Sequence, residues 1–174
     1  VRLTLHQAEE IGNVRLRLQC LARLGMIEWR QGNYDEAEND FRSGLELVGA
    51  SHDDDEDMVE VNYGLGLVHR GRAEYDQAIP YFEEALLLSQ SQGNALEEAK
   101  ALMALGTVAY FQKQLQQSLD YHRDALNIRK VIGDRSGEGA SLLSTAQVLI
   151  DLGKYSEAEE NLTLALAIQQ SINN

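Results

Sequence analysis

Apolar residues recur at spacings of three and four along the chain, as in Leu21, Leu24 and Ile27 and again in Leu102, Leu105 and Ala109. That period lines them up on one face of a helix. Polar turns such as RQGN (30–33) and DLGK (151–154) interrupt the pattern, so each run is predicted to be a first helix that ends at such a turn. A second helix then starts near Tyr34, Tyr75, Leu115 or Tyr155 and continues into an aliphatic tail such as EEALLLSQ (83–90).

These four starting points are separated by steps of 41, 40 and 40, and the same steps relate Gly25, Gly66, Gly106 and Ala146, as well as Ala37, Ala78, Ser118 and Ala158. Agreement of four copies at three positions defines an internal repeat. A helix–turn–helix unit of this kind cannot bury its apolar face alone, so neighbouring units must stack. The pattern therefore predicts an all-α fold, an α-solenoid of tandem antiparallel helix pairs. Residues 1–174 are expected to form a single solenoid domain: 1–13 as the tail of a preceding repeat, then four full repeats at about 14–52, 53–93, 94–133 and 134–174.

The recurring small residue in the first helix needs a reason, because glycine inside a helix costs roughly 1 kcal/mol relative to alanine. Close approach of the paired helices supplies one, with Gly25 facing Ala37, Gly66 facing Ala78, Gly106 facing Ser118 and Ala146 facing Ala158. Pro80 falls several residues into a second helix, where it removes one backbone hydrogen bond, and a kink or loosened first turn is expected there.

The residues that carry the repeat resemble the tetratricopeptide repeat: Leu24-Gly25, Gly32, Tyr34, Ala37 and Phe41 in the first copy, and Leu65-Gly66, Tyr75, Ala78, Phe82 and Ala85 in the second. The period is about six residues longer than the usual 34 of that family. Extended repeats of this length are similar to those of kinesin light chains, Pins-type polarity adaptors and bacterial signalling regulators. The sequence departs from the family pattern at its first-helix tyrosine, replaced by Glu28, His69, Ala109 and Leu149, and it lacks the closing proline. The resemblance implies a right-handed superhelix whose first helices line a concave, peptide-binding groove.

Composition narrows the functional classes. A net charge of −13 argues against a nucleic-acid partner, whose phosphates attract basic surfaces. No apolar run reaches the length of a membrane span, and no membrane partner is expected. The single cysteine, Cys20, excludes an intrachain disulfide and a thiolate metal cluster, and it is expected to be a buried small hydrophobe in a cytoplasmic protein.

A search for catalytic chemistry finds no constellation. His6 and His52 are expected at helix ends or loops, and His69 and His122 at packing positions; no pair has the spacing of metal ligands on one helical turn. The acidic run Asp53–Asp57 fails the calcium-loop pattern, since its sixth place is not glycine and its twelfth is Gly64, and it is read as carboxylates favouring the positive end of the following helix. No P-loop, nucleophile elbow or dinucleotide fingerprint is present, and GDRSGEG (133–139) is read as a repeat junction. The expectation is a protein with no catalytic residues, no metal and no cofactor.

What remains is a binding surface. First-helix residues not used for packing would be Gln19, Arg23, Met26, Trp29 and Arg30 in the first copy and Glu60, Tyr63, Leu67 and Arg70 in the second. The third copy offers Lys100, Met103, Thr107 and Tyr110, and the fourth Leu143 and Gln147. Arginine beside Trp, Tyr and Met is the composition of interaction hot spots. The expected partner is a peptide or protein segment with apolar anchors flanked by acidic residues, bound by a scaffold within a larger regulatory or adaptor protein. A self-associating module, through uncapped terminal repeats, and a peptide-sensing domain that controls an attached effector are the alternatives. The family's clamp for chaperone C-termini is disfavoured, because its positions read Ala22, Met26 and Gly64, with only Lys100 matching.

Overall fold

The computed structural model describes residues 1–48 and 55–172. Among the described residues there are nine helices and no strand. They fall into two compact units, Val1–Gln92 and Gly93–Asn174. The first contains α1 (Arg2–Glu10), α2 (Val14–Gln31), α3 (Tyr34–Val48), α4 (Asp55–Gly71) and α5 (Tyr75–Ser91); the second contains α6 (Ala95–Phe111), α7 (Leu115–Ile132), α8 (Arg135–Asp151) and α9 (Tyr155–Ile172). Helix starts match the repeat, and α5 runs unbroken across Pro80. His6 lies inside α1, exposed and 3.5 Å from Glu10, rather than at a helix end.

Two kinds of turn separate the helices. Within each pair the chain reverses through one residue in the left-handed region: Gly32, Ala73, Lys113 and Gly153, again at steps of 41, 40 and 40. Between pairs a left-handed glycine precedes an Asn or Asp, as in Gly12-Asn13, Gly93-Asn94 and Gly133-Asp134. The side chains of Asn13, Asn94 and Asp134 accept hydrogen bonds from the backbone N–H groups of Leu16, Glu97 and Gly137. Glycine stops one helix and the carboxamide or carboxylate starts the next, by satisfying an amide the helix leaves unpaired. GDRSGEG is thus a junction.

The small residues do permit close approach, but their partner differs from the one expected. A Cβ added at Gly25 would lie 2.8 Å from the ring of Phe41, one at Gly66 2.5 Å from Phe82, and one at Gly106 2.7 Å from His122. The aromatic ring four residues beyond the small residue of the second helix sits on the glycine. Ala37 and Ala78 are fully buried at the same interface, and only in the third pair does the expected facing contact appear as a bond, Ser118 Oγ donating to Gly106 O at 2.7 Å. A flat ring fills the space left by a missing Cβ better than a methyl group can.

Phe41 has a second glycine against it. Gly64, on the next first helix, leaves no room for a Cβ against the Phe41 ring, so the ring is held between α2 and α4. Leu18, Ala22, Ala37, Val61, Leu65 and Val68 complete this core. Within the second unit the corresponding core is Leu119, Ala146, Val148, Leu149 and Ala158. Cys20 is buried.

Polar contacts fix the stacking. The guanidinium of Arg72 bonds the carboxylates of Asp35 and Glu38 on α3, and the Arg72 bond is the main reason the Glu38 carboxyl is held below the usual range. Arg129, almost wholly buried near the end of α7, donates to Gly137 O at 2.7 Å and to Ser141 Oγ at 3.1 Å on α8. Of the acidic run, only the Asp57 side chain is placed. Asp53 and Asp54, like His52, lie outside the described residues, as do the side chains of Asp55 and Glu56.

Gly66→Leu is expected to destabilise the protein by at least about 1–3 kcal/mol, because the new side chain collides with Phe82 and overpacking forces helix displacement. Thermal unfolding checks this; an unchanged midpoint would remove the ring-on-glycine account.

Candidate binding surface

In each unit the first helices of successive pairs touch directly. In the first unit, Gln19 Nε2 on α2 donates to Asp57 Oδ1 on α4 at 3.3 Å, and Trp29 Nε1 donates to Leu67 O at 3.1 Å. In the second, Ser141 Oγ on α8 donates to Met103 Sδ on α6 at 3.4 Å, and the Tyr110 hydroxyl donates to Asp151 Oδ2 at 2.7 Å. Each pair of first helices therefore presents a shared face, α2/α4 in one unit and α6/α8 in the other.

The predicted residues divide across these faces. Arg23, Arg30 and Glu60 are exposed, while Gln19, Met26, Trp29, Tyr63 and Arg70 are partly buried. Leu67 is a correction: it is 3% exposed, and its contribution is the carbonyl that holds the Trp29 indole. Met26 and Trp29 rest on the Phe41 core, so both have a packing role alongside any binding role. Tyr63 turns towards its own second helix, with its ring centroid 5.6 Å from that of Phe82.

On the second face, Lys100 is engaged by Glu97 at 2.7 Å, and Thr107 donates to Met103 O at 2.8 Å. Gln147 Nε2 reaches Asp151 Oδ1 at 3.4 Å, and Lys113 Nζ lies 5.6 Å from the Tyr110 ring centroid. The bond to Asp151 raises the Tyr110 phenol above its ordinary value, with burial adding to it. Leu143 is displaced from this face: it lines a cleft of about 410 Å³ between α8 and α9 with Leu162, Leu166 and Ile172.

The pattern of exposed residues did not reveal a small cavity of about 130 Å³ between α6 and α8, lined by Thr107, Tyr110, Phe111, His122, Ser144, Gln147 and Val148. His122 comes from the second helix α7 and reaches this cavity from below, packed on Gly106. Its imidazole is 2% exposed, and burial, helped by Arg129, pushes its pKa down to about 4. The sequence signal was present: histidine stands where the first two copies have Phe41 and Phe82. Among the described residues no group of three His, Cys, Asp or Glu side chains could hold a metal ion, and no helix is long and apolar enough to cross a membrane.

A model of the tetratricopeptide repeat matches residues 17–91, 57–130 and 97–171. The chain belongs to the tetratricopeptide-repeat family. Proteins of this repeat type are typically non-catalytic interaction scaffolds. No curated protein matches the chain. Among solved structures it is similar to BtubC (BKLC) from P. vanneervenii, with a TM-score of 0.89 at 19% identity, covering 99% of this chain and 72% of that one. Aspartyl phosphate phosphatase F from Bacillus subtilis gives 0.86 at 13% identity, over 91% of this chain and 41% of that one. A STAND protein with a tetratricopeptide repeat sensor, PH0952 from Pyrococcus horikoshii, gives 0.81 at 17% identity, over 97% and 27%. At these identities the similarity is one of fold.

His122 makes a pH signature. Its pKa is lowered in the folded state, so the unfolded chain takes up this proton first as pH falls. The stability it contributes is complete above pH 6.5 and is lost as pH falls towards about 4, by up to about 3 kcal/mol. The double variant His122→Phe with Ser144→Gly, which recreates the Phe41–Gly64 pair, is expected to lose correspondingly less stability over that interval. Denaturant unfolding of both proteins at each pH measures the difference; parallel pH profiles would show that the imidazole does not titrate as its burial implies.

Proposed function

We propose that this chain is a non-catalytic scaffold that binds an extended or helical protein segment on the faces made by its first helices. The observation that carries the reading is the direct contact of successive first helices, which leaves Arg23, Arg30, Arg70, Trp29 and Tyr110 along those faces, exposed or partly exposed. The family supports it, since tetratricopeptide repeats imply protein partners. The four repeats act as one solenoid in a cytoplasmic setting, without cofactor or metal. The preferred segment has apolar anchors flanked by Asp or Glu, which Arg23, Arg30 and Arg70 attract although the whole chain is acidic.

The chain serves as the sensing or adaptor part of a larger regulatory protein. The repeat sensor named in the STAND protein supports this role, and control of an attached effector is its extension. Self-association is a second reading, favoured by Leu162, Leu166 and Ile172, which are exposed along α9 and line one cleft with Leu143. An apolar surface of this kind marks an interaction site, and sedimentation that changes with concentration would support it.

Peptide display on the immobilised protein tests the principal reading. A selected segment is expected to bind Trp29→Ala more weakly by about 2 kcal/mol or more, and Arg70→Ala by less, with a flatter salt dependence. Circular dichroism separates lost binding from lost packing, because Trp29 also bonds Leu67 O. Equal binding by a folded Trp29/Arg70 double variant, or no selected segment at all, would reject the reading.

A further inference from the structure

The two faces are built in the same register, and one place on them has changed character. On the first, the positions read Met26, Trp29, Phe41, Gly64 and Leu67; two repeats further they read Thr107, Tyr110, His122, Ser144 and Gln147. Where the first unit has a ring held tightly between two glycines, the second has a cavity of about 130 Å³. Each of the five changes replaces an apolar or featureless group, or an indole whose N–H is already committed, with a hydrogen-bonding one.

The substitutions fit one another. Gly64 has no space for a Cβ beside Phe41, whereas Ser144 carries one in the corresponding place, and the smaller imidazole accommodates it. His122 Nδ1 is enclosed without a hydrogen-bond partner, and an imidazole with such an unpaired nitrogen is costly to keep in a core. A bare acceptor is easier to leave unpaired there than an N–H, which puts the proton on Nε2, the nitrogen left to meet a ligand.

We infer that this cavity is a subsite for a carboxamide group, supplied by an Asn or Gln side chain of the bound segment. The source of the amide rests on the peptide-scaffold reading; the chemistry of the cavity does not. The lining holds no charged side chain, and the nearby carboxylate of Asp151 is already engaged by Tyr110 and Gln147. Burial keeps the imidazole neutral near pH 7. No charged side chain lines the cavity to pair an ion of either sign, and the nearest charges, Asp151 and Lys113, are turned to Tyr110. A carboxamide has one acceptor and two donors, and the cavity offers their complements. His122 Nε2–H and the Ser144 hydroxyl can donate to its oxygen. The Thr107 oxygen, whose proton is given to Met103 O, can accept from one of its N–H groups, and the Gln147 carboxamide oxygen, whose Nε2 is turned to Asp151 and Tyr110, can accept from the other. Phe111 and Val148 form the apolar walls for the attached methylenes.

The test uses small probes on the isotopically labelled protein: propionamide, propionate and propylammonium, which share size and differ in charge. Propionamide is expected to shift the His122 ring nitrogens and the Thr107 and Gln147 amides saturably, and the two ions are not. His122→Phe with Ser144→Gly should abolish the amide shifts, and so should Thr107→Met, which fills the cavity with the side chain found at Met26. Equal shifts from all three probes, none from propionamide, or an undiminished response in a folded variant would overturn the subsite while leaving the scaffold reading standing. Peptides selected by display should carry Asn or Gln at one position, a preference lost in the double variant. Selected peptides without that preference would overturn the side-chain source, even with the probe result positive.

Discussion

The first three helix pairs depend on aromatic rings seated on glycines. Phe41 lies against Gly25 of its own pair and Gly64 of the next, so one side chain sets the spacing both within a repeat and between repeats. Glycine in a helix interior is unfavourable by itself; here it is retained because the ring packs where a Cβ would be. Dispersion over a closely fitted ring surface outweighs the lost helix propensity, since each atom pair contributes little but a ring makes many contacts. Three glycines carry the within-pair contact, and in the fourth pair Ala146 takes the place and is itself buried.

The same device explains how a repetitive scaffold acquires chemistry. At His122 the ring becomes polar while remaining on Gly106, and the neighbouring glycine becomes Ser144. A structural position is thereby converted into one with hydrogen-bonding capacity, without altering the turns or helix starts. The cost is an enclosed nitrogen and a suppressed pKa. Such a departure from the local packing rule is where function is to be sought in a solenoid, because the remaining core positions repeat to satisfy stacking.

Charge plays a different part. Arg72 and Arg129 are consumed by stacking, one on Asp35 and Glu38 and the other on Gly137 O and Ser141. Lys100, counted among the positive residues of the binding surface, is paired with Glu97. The positive character left to the surface is therefore that of Arg23, Arg30 and Arg70 in the first unit. As charges at or near the surface they add little to stability.

The sequence alone determined the helix pairs, the repeat and where the turns fall, though not that Ala73 and Lys113 take the left-handed conformation there. These are local properties: a period of 3.6, a left-handed residue and a capping side chain each act within one or two turns of chain. It also marked the close-packed positions, because an unfavourable glycine recurring at a fixed step requires a compensating contact. Tertiary structure decided which partner makes that contact, Phe41 rather than Ala37, since two residues four apart share a helical face and only the offset between helices selects one. It likewise buried Leu67, turned Tyr63 and Leu143 towards their own second helices, and brought His122 from a second helix to the α6/α8 face. Such outcomes depend on the relative positions of different helices, about twenty to forty residues apart in sequence, and no periodicity within one helix carries that information.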